Sequence, residues 1–118
     1  MHATADPMHV ELPVGQAARI AVTITNTSAV IDAYDVSAFG LDPQWVRVEP
    51  ERLSLFPGES GIVETTIALP DGFPAGYRMV AVHVRSENDP TEFSLAQVNL
   101  DVAELPRTTM RVDPTMVI

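Results

Sequence analysis

The stretch Ala18-Arg19-Ile20-Ala21-Val22-Thr23-Ile24-Thr25-Asn26 decides the fold of this chain. Ala18, Ile20, Val22 and Ile24 recur at every second position, with Arg19, Thr23 and Thr25 between them. A period of two puts these sets on opposite faces of a pleated strand, one dry and one wet. The pattern continues downstream. Tyr34, Val36 and Ala38 alternate with Asp35 and Ser37, and Val63, Thr65, Ile67 and Leu69 with Glu64 and Thr66. Val80, Val82 and Val84 alternate with Ala81, His83 and Arg85, and Ala96, Val98, Leu100 and Val102 with Gln97, Asn99 and Asp101. Shorter strands are expected at Met8–Leu12, Trp45–Val48 and Leu53–Phe56.

Turn chemistry punctuates these segments. All ten prolines fall at or beside segment ends, where a missing amide hydrogen does no harm to a ladder. Pro57-Gly58 suits the two central positions of a type II turn, Asp71-Gly72 and Pro74-Ala75-Gly76 form a loop, and Asn88-Asp89-Pro90 reads as a hairpin connection. No window shows a 3.6-residue apolar period. Short strands with turns at roughly ten-residue spacing predict an all-β, immunoglobulin-like antiparallel β-sandwich of seven to eight strands.

Its predicted extent is 8–104, with 1–7 as a disordered N-terminal segment. Met8-His9-Val10-Glu11-Leu12-Pro13 is echoed by Met110-Arg111-Val112-Asp113-Pro114. The echo divides 105–118 into a linker, Leu105–Thr109, and the first strand of a following sandwich. The alternative is that this tail is the frayed end of the same domain.

Composition narrows the function. At 118 residues the chain has material for one core. It has no cysteine, so disulfides and thiolate metal sites are excluded. Sixteen acidic residues against seven basic ones leave a net charge of −9, which disfavours nucleic acid and anionic membranes and suits a neutral or basic partner. Met1–Pro13 carries Asp6 and Glu11 and lacks the apolar run of about seven residues that an export signal needs. No run approaches the ~20 apolar residues of a membrane-spanning helix. Localisation stays open: the cell envelope if the chain is part of an anchored protein, the cytoplasm if Met1 is the native start and no anchor follows.

The order and spacing of several motifs resemble the NPCBM-associated bacterial Ig-like domains, over about residues 8 to 104. The motifs are Val14-Gly15, Val22-Thr23-Ile24-Thr25-Asn26-Thr27, Tyr34, Gly40-Leu41-Asp42-Pro43-Gln44-Trp45-Val46, Val48-Glu49-Pro50, Leu53-Ser54-Leu55-Phe56-Pro57-Gly58-Glu59-Ser60 and Pro74-Ala75-Gly76. That resemblance implies a sandwich fold, a tandem setting in large actinobacterial proteins, and an accessory role beside enzymes or cell-surface assemblies. It implies no catalytic residues.

Candidate chemistry is sparse. Gly58-Glu59-Ser60-Gly61 invites a serine-nucleophile reading, but it lacks the Gly-x-Ser-x-Gly spacing and reads as a turn. His2, His9 and His83 lack the close companions of metal ligands. Asp32, Asp35, Asp42, Asp71 and Asp89 fall near sandwich ends, where calcium sites occur, yet form no Asp-x-Asp-x-Asp loop. Asn26-Thr27-Ser28 satisfies the glycosylation pattern, with a turn role as the alternative. Trp45 reads as a core plug in preference to a sugar-stacking ring; Tyr34 and Tyr77 lie far from it in sequence. Phe39, Phe56, Phe73 and Phe93 fall near strand ends and suit a contact patch toward a neighbour.

No catalytic, cofactor or metal residues are therefore assigned. The expected protein is a non-enzymatic interaction or spacer module of a larger bacterial protein, whose partners are adjacent domains of the same chain or another protein. The alternatives are a carbohydrate-binding accessory domain of a wall-acting enzyme, and a docking adaptor of an envelope or phage-tail-like assembly.

Overall fold

The structure, a computed structural model, describes residues 1–103. It contains nine strands: β1 His2–Asp6, β2 His9–Pro13, β3 Ala17–Thr25, β4 Asp32–Phe39, β5 Val46–Glu49, β6 Arg52–Leu55, β7 Ser60–Ala68, β8 Gly76–Ser86 and β9 Phe93–Ala103. They form a four-stranded sheet in the order β1-β3-β7-β5 and a five-stranded sheet in the order β2-β9-β8-β4-β6. The result is an immunoglobulin-like sandwich, as the alternation requires. The expected linker and following strand at 105–118 lie outside the described residues.

All eight segments expected from alternation are strands, and β1 makes a ninth. Residues 1–7, expected to be disordered, instead supply this edge strand, with Ala3 opposite Ile24 and Ala5 opposite Val22. Alanine is a weak strand former with little surface to bury, so its alternation leaves a faint trace in sequence. β1 and β2 run in the same direction on either side of Pro7 and Met8, in different sheets. That sheet switch aligns β2 parallel to β9, His9 opposite Asn99 and Leu12 opposite Val102, the one parallel pairing among the described residues. Helical structure among the described residues is a single 3-10 turn, Pro43–Trp45, whose first amides are capped by Asp42.

The core lies between the sheets. Ile20, Val22 and Ile24 from β3, Val63 and Ile67 from β7, Val80, Val82 and Val84 from β8, and Val98 and Leu100 from β9 are all fully buried. They are the residues picked out by the period-two count. Trp45 is half-buried, packed with Leu41 and Phe73 against one end of this core. It is a cap on the sandwich and not a central plug.

Two glycines set turns by different physics. Gly58 at φ +78° occupies the third position of the Phe56–Glu59 turn, where the Glu59 amide donates to the Phe56 carbonyl at 3.0 Å. Gly40 at φ +109° passes so close to β8 that a Cβ there would collide with the Met79 carbonyl, whereas one at Gly58 meets nothing. Both alanine replacements carry the left-handed backbone cost of about 1 kcal/mol. We therefore expect Gly40→Ala to be the more destabilising by at least ~1 kcal/mol in urea denaturation; equal losses would show that β8 gives way without cost.

Candidate interaction surface

The two outer faces differ in chemistry. On the four-stranded sheet, Thr4, Arg19, Thr23, Arg47, Glu64 and Thr66 point away from the core, with Ile62 as the large apolar exception. This is the polar-out pattern of a half-solvated antiparallel sheet. On the five-stranded sheet, the inward valines of β8 and alternate residues of β9 leave Tyr77, Met79, Ala81, His83 and Arg85, and Phe93, Leu95, Gln97, Asn99 and Asp101, pointing outward. Phe39, Tyr77, Met79, Phe93 and Leu95 are large, apolar and 47–79% exposed.

Register assembles these residues into rows across the sheet. From one end to the other the rows read Asp35–Arg85–Phe93, Ser37–His83–Leu95, Phe39–Ala81–Gln97, then Met79–Asn99–His9 and Tyr77–Asp101–Glu11. His83 links the aromatics: its ring stacks on Phe93 at 5.2 Å and 28°, and meets Phe39 edge-on at 5.9 Å and 74°. A pocket of about 440 Å³, lined by His9, Tyr77, Arg78, Met79 and Asn99, extends the face toward β2.

The other aromatics do not join this surface. Trp45 meets Phe73 edge-on at 5.4 Å and 90°, with the Arg78 guanidinium 5.2 Å over the Phe73 ring, at the end of the sandwich where β4 finishes. Neither cluster offers coplanar exposed rings. An open groove of about 800 Å³ runs beside the edge strand β5, and its ionisable lining residues are Arg47, Glu49 and Glu51.

The five aspartates singled out from the sequence divide between the two ends. Asp42 and Asp71 sit near the end of β4 and the start of β8; Asp32, Asp35 and Asp89 sit near the start of β4 and the end of β8. No group of three or more His, Asp or Glu among the described residues is placed to hold a metal. Asp32 is buried and organises the β8–β9 hairpin. Its carboxylate accepts from the Ala33 amide at 2.7 Å, the Asn88 amide at 3.2 Å and the Ser86 hydroxyl. Asp89 accepts from the Thr91 amide and hydroxyl, which hold its carboxyl below the usual carboxylate range.

Arg52 donates twice to Glu87, at 2.7 and 3.1 Å, and this bond lowers the Glu87 carboxyl. Asp35 beside them is raised, first by desolvation and then by Glu87. These groups are exposed, so the pair adds little stability. Ser60 shares a 2.7 Å hydrogen bond with the Thr25 hydroxyl at the head of β7. His2 starts β1 opposite Thr25, while His9 and His83 lie on the outer face already described.

Asn26 is completely buried. Its side-chain amide donates to the Val30 and Leu55 carbonyls at 2.9 and 3.0 Å, and its side-chain oxygen accepts from the Ser28 amide and hydroxyl. The nitrogen that a glycan would need is occupied in bracing two loops, so the turn reading describes this position.

The fold is an immunoglobulin-like sandwich, similar to solved PapD-like, major-sperm-protein-like and periplasmic chaperone domains. A PapD-like domain of human CEP192 is similar over 88% of this chain and 87% of that chain, at 14% identity and TM-score 0.59. The periplasmic chaperone SfaE is similar over 96% of this chain and 61% of its own, at 14% identity and TM-score 0.58. A family 123 glycoside hydrolase from Clostridium perfringens is similar at 8% identity and TM-score 0.68, but 82% of this chain covers only 23% of it. At these identities the likeness is one of fold. No protein-family model matches the sequence, and no curated protein sequence matches it either.

Removing the Asn26 side chain takes a buried donor from the Leu55 carbonyl and an acceptor from the Ser28 amide, while the Val30 carbonyl keeps the Ser28 hydroxyl. We expect Asn26→Ala to cost about 2–4 kcal/mol in chemical denaturation; a loss under ~0.5 kcal/mol would show that water replaces the side chain.

The Tyr34 phenol, buried between the sheets, is pushed up from 10.0 to about 12 by burial, then by the Asp32 and Glu92 carboxylates. Below 10.0 both folded and unfolded chains keep this proton, so its contribution is constant. Between 10.0 and about 12 the unfolded chain releases it while the folded chain holds it, so stability falls with rising pH. Tyr34→Phe should flatten that alkaline slope, as followed by urea midpoints across the window. An unchanged slope would mean that other groups cause it.

Proposed function

We propose that this chain is a non-catalytic interaction or spacer module of a larger multidomain bacterial protein, and that it meets its partner through the outer face of the five-stranded sheet. The observation that carries this reading is the contrast between the two outer faces. One is polar apart from Ile62, while the other presents Phe39, Tyr77, Met79, Phe93 and Leu95 around a stacked His83. Apolar side chains on a solvated sheet face contribute nothing to the core, and their clustering supports a surface that is covered in use.

The PapD-like and chaperone likenesses lend support, because the fold is one used in protein–protein contacts. The resemblance of residues 8 to 104 to NPCBM-associated Ig-like domains adds the tandem, accessory setting to the proposal. The carbohydrate-binding alternative has less beneath it: His83 stacks on Phe93 face to face and meets Phe39 edge-on, so the three rings form no side-by-side platform, and Trp45 is turned edge-on against Phe73.

The test places a photoreactive phenylalanine analogue at Phe93 in cells making the full-length protein, with Arg19 on the opposite face as the comparison position. We expect protein adducts from position 93 and few from position 19. Adducts from position 19 alone would move the interface to the other sheet, and none from either would remove this reading.

A further inference from the structure

We propose that the outer face of the five-stranded sheet is self-complementary and binds a second copy of this chain about a two-fold axis. This rests on the interaction reading above and names the partner. The axis lies between the two faces, perpendicular to the strands and over the row Phe39–Ala81–Gln97. It pairs each row on one side of that centre with the row equally far on the other.

Three features fit this pairing. The first is charge. Arg85, with Asp35 opposite it on β4, stands at one end of the face, with Tyr77, Asp101 and Glu11 at the other, four β8 residues either side of Ala81. Within one chain these ends are about 27 Å apart, eight strand residues at ~3.4 Å each. The two-fold brings Arg85 of one copy over Tyr77 and beside Asp101 of the other, twice. Arg85 forms no ion pair among the described residues.

The second is shape. Leu95, half-exposed on β9, lies one row from the centre, and the row equally far on the other side is Met79–Asn99–His9. Leu95 of one copy therefore meets the pocket of about 440 Å³ lined by His9, Tyr77, Arg78, Met79 and Asn99 of the other. At the centre, Ala81 is small enough for the faces to approach, and Phe39 meets its own symmetry mate.

The third is size. The face is three strands wide at every row, so strands about 4.8 Å apart over ~27 Å present roughly 400 Å² of flat face, about half the ~800 Å² per partner of an ordinary specific interface before side-chain relief is added. That is enough for a dimer of modest affinity. The net charge of −9 opposes approach at long range, but beyond ~8 Å it is screened at physiological ionic strength, leaving the local charges to decide register.

Sedimentation velocity on the purified full chain, from about 5 to about 500 µM, tests the proposal. The wild-type chain should show a concentration-dependent dimer, and Leu95→Glu should be monomeric throughout. Arg85→Glu and Asp101→Arg should each weaken self-association about tenfold or more, as like charges meet across the axis. An equimolar mixture of those two variants should recover it, because both cross-axis pairs are then opposite in sign. Such recovery cannot come from a contact within one chain, and thermal melts of the outward-facing variants verify that each is folded.

A wild-type monomer at every concentration overturns the proposal, as does a dimer indifferent to Leu95→Glu or a mixture no stronger than its components. If the chain is monomeric yet Phe93 photo-crosslinks to another protein, the two-copy interface falls and the interaction reading stands. If neither occurs, both fall.

Discussion

Each sheet of this protein has one face that must be kept dry, and only the other sheet is available to cover it. The chain is threaded to enforce that dependence. Strands β1 to β8 alternate between the sheets without exception, and β8 to β9 is the single connection that stays within one sheet. Neither sheet can be completed from contiguous sequence, and burying Ile24 of one sheet and Val84 of the other in one core requires pieces of chain far apart. Such non-local pairing makes the sandwich cooperative and places it among the slower-folding topologies. It also explains why the core is so regular, since an inward position of any strand faces several others across the gap. Thr65 is the one buried side chain among the described residues whose hydroxyl finds no partner.

The polar interior is concentrated where the crossings are made. Asn26 braces the loop leaving β3 against the turn before β7: its side chain donates to the Leu55 carbonyl, its backbone amide donates to the Glu59 carbonyl, and its own carbonyl accepts from the Gly58 amide. Asp32, at the head of β4, holds the β8–β9 hairpin through Ser86 and Asn88. Both are buried groups whose hydrogen bonds join their own loop to a distant segment, Leu55 for Asn26 and Ser86 and Asn88 for Asp32, the arrangement in which burial of a polar side chain specifies a conformation instead of weakening it. Two residues thus tie together the loops at one end of the sandwich, and the apolar Trp45–Phe73 contact covers the other.

Eight strands were legible because valine, isoleucine and threonine at period two leave few alternatives, and prolines marked their ends. β1 was not, since its inward residues are alanines whose alternation resembles ordinary composition. The parallel alignment of β2 was hidden for a different reason: direction relative to β9 follows from a sheet switch at Pro7, which no local pattern records. Asp32 showed the same limit. Read alone it was one of several acids near a strand end, because its partners lie 54 and 56 residues downstream. The aromatic surface was legible only as scattered phenylalanines. Phe39, His83 and Phe93 become neighbours through the β4–β8–β9 order and register, while the charge at either end of that surface needs the register as well.

The contrast between the outer faces follows from what each strand could do otherwise. A strand with one buried face is free to place anything soluble on the other, and β3 and β7 use that freedom for threonine and charge. In β8 and β9 the same freedom is given to tyrosine, methionine, phenylalanine and leucine, although inward valines, alanine and leucine already satisfy the core. Stability alone supplies no reason for this choice, and solubility argues against it in strands so apolar on both faces. The acid-rich remainder of the chain offsets that liability: a net charge of −9 discourages indiscriminate association while leaving one apolar face open to a partner that matches its shape and local charges.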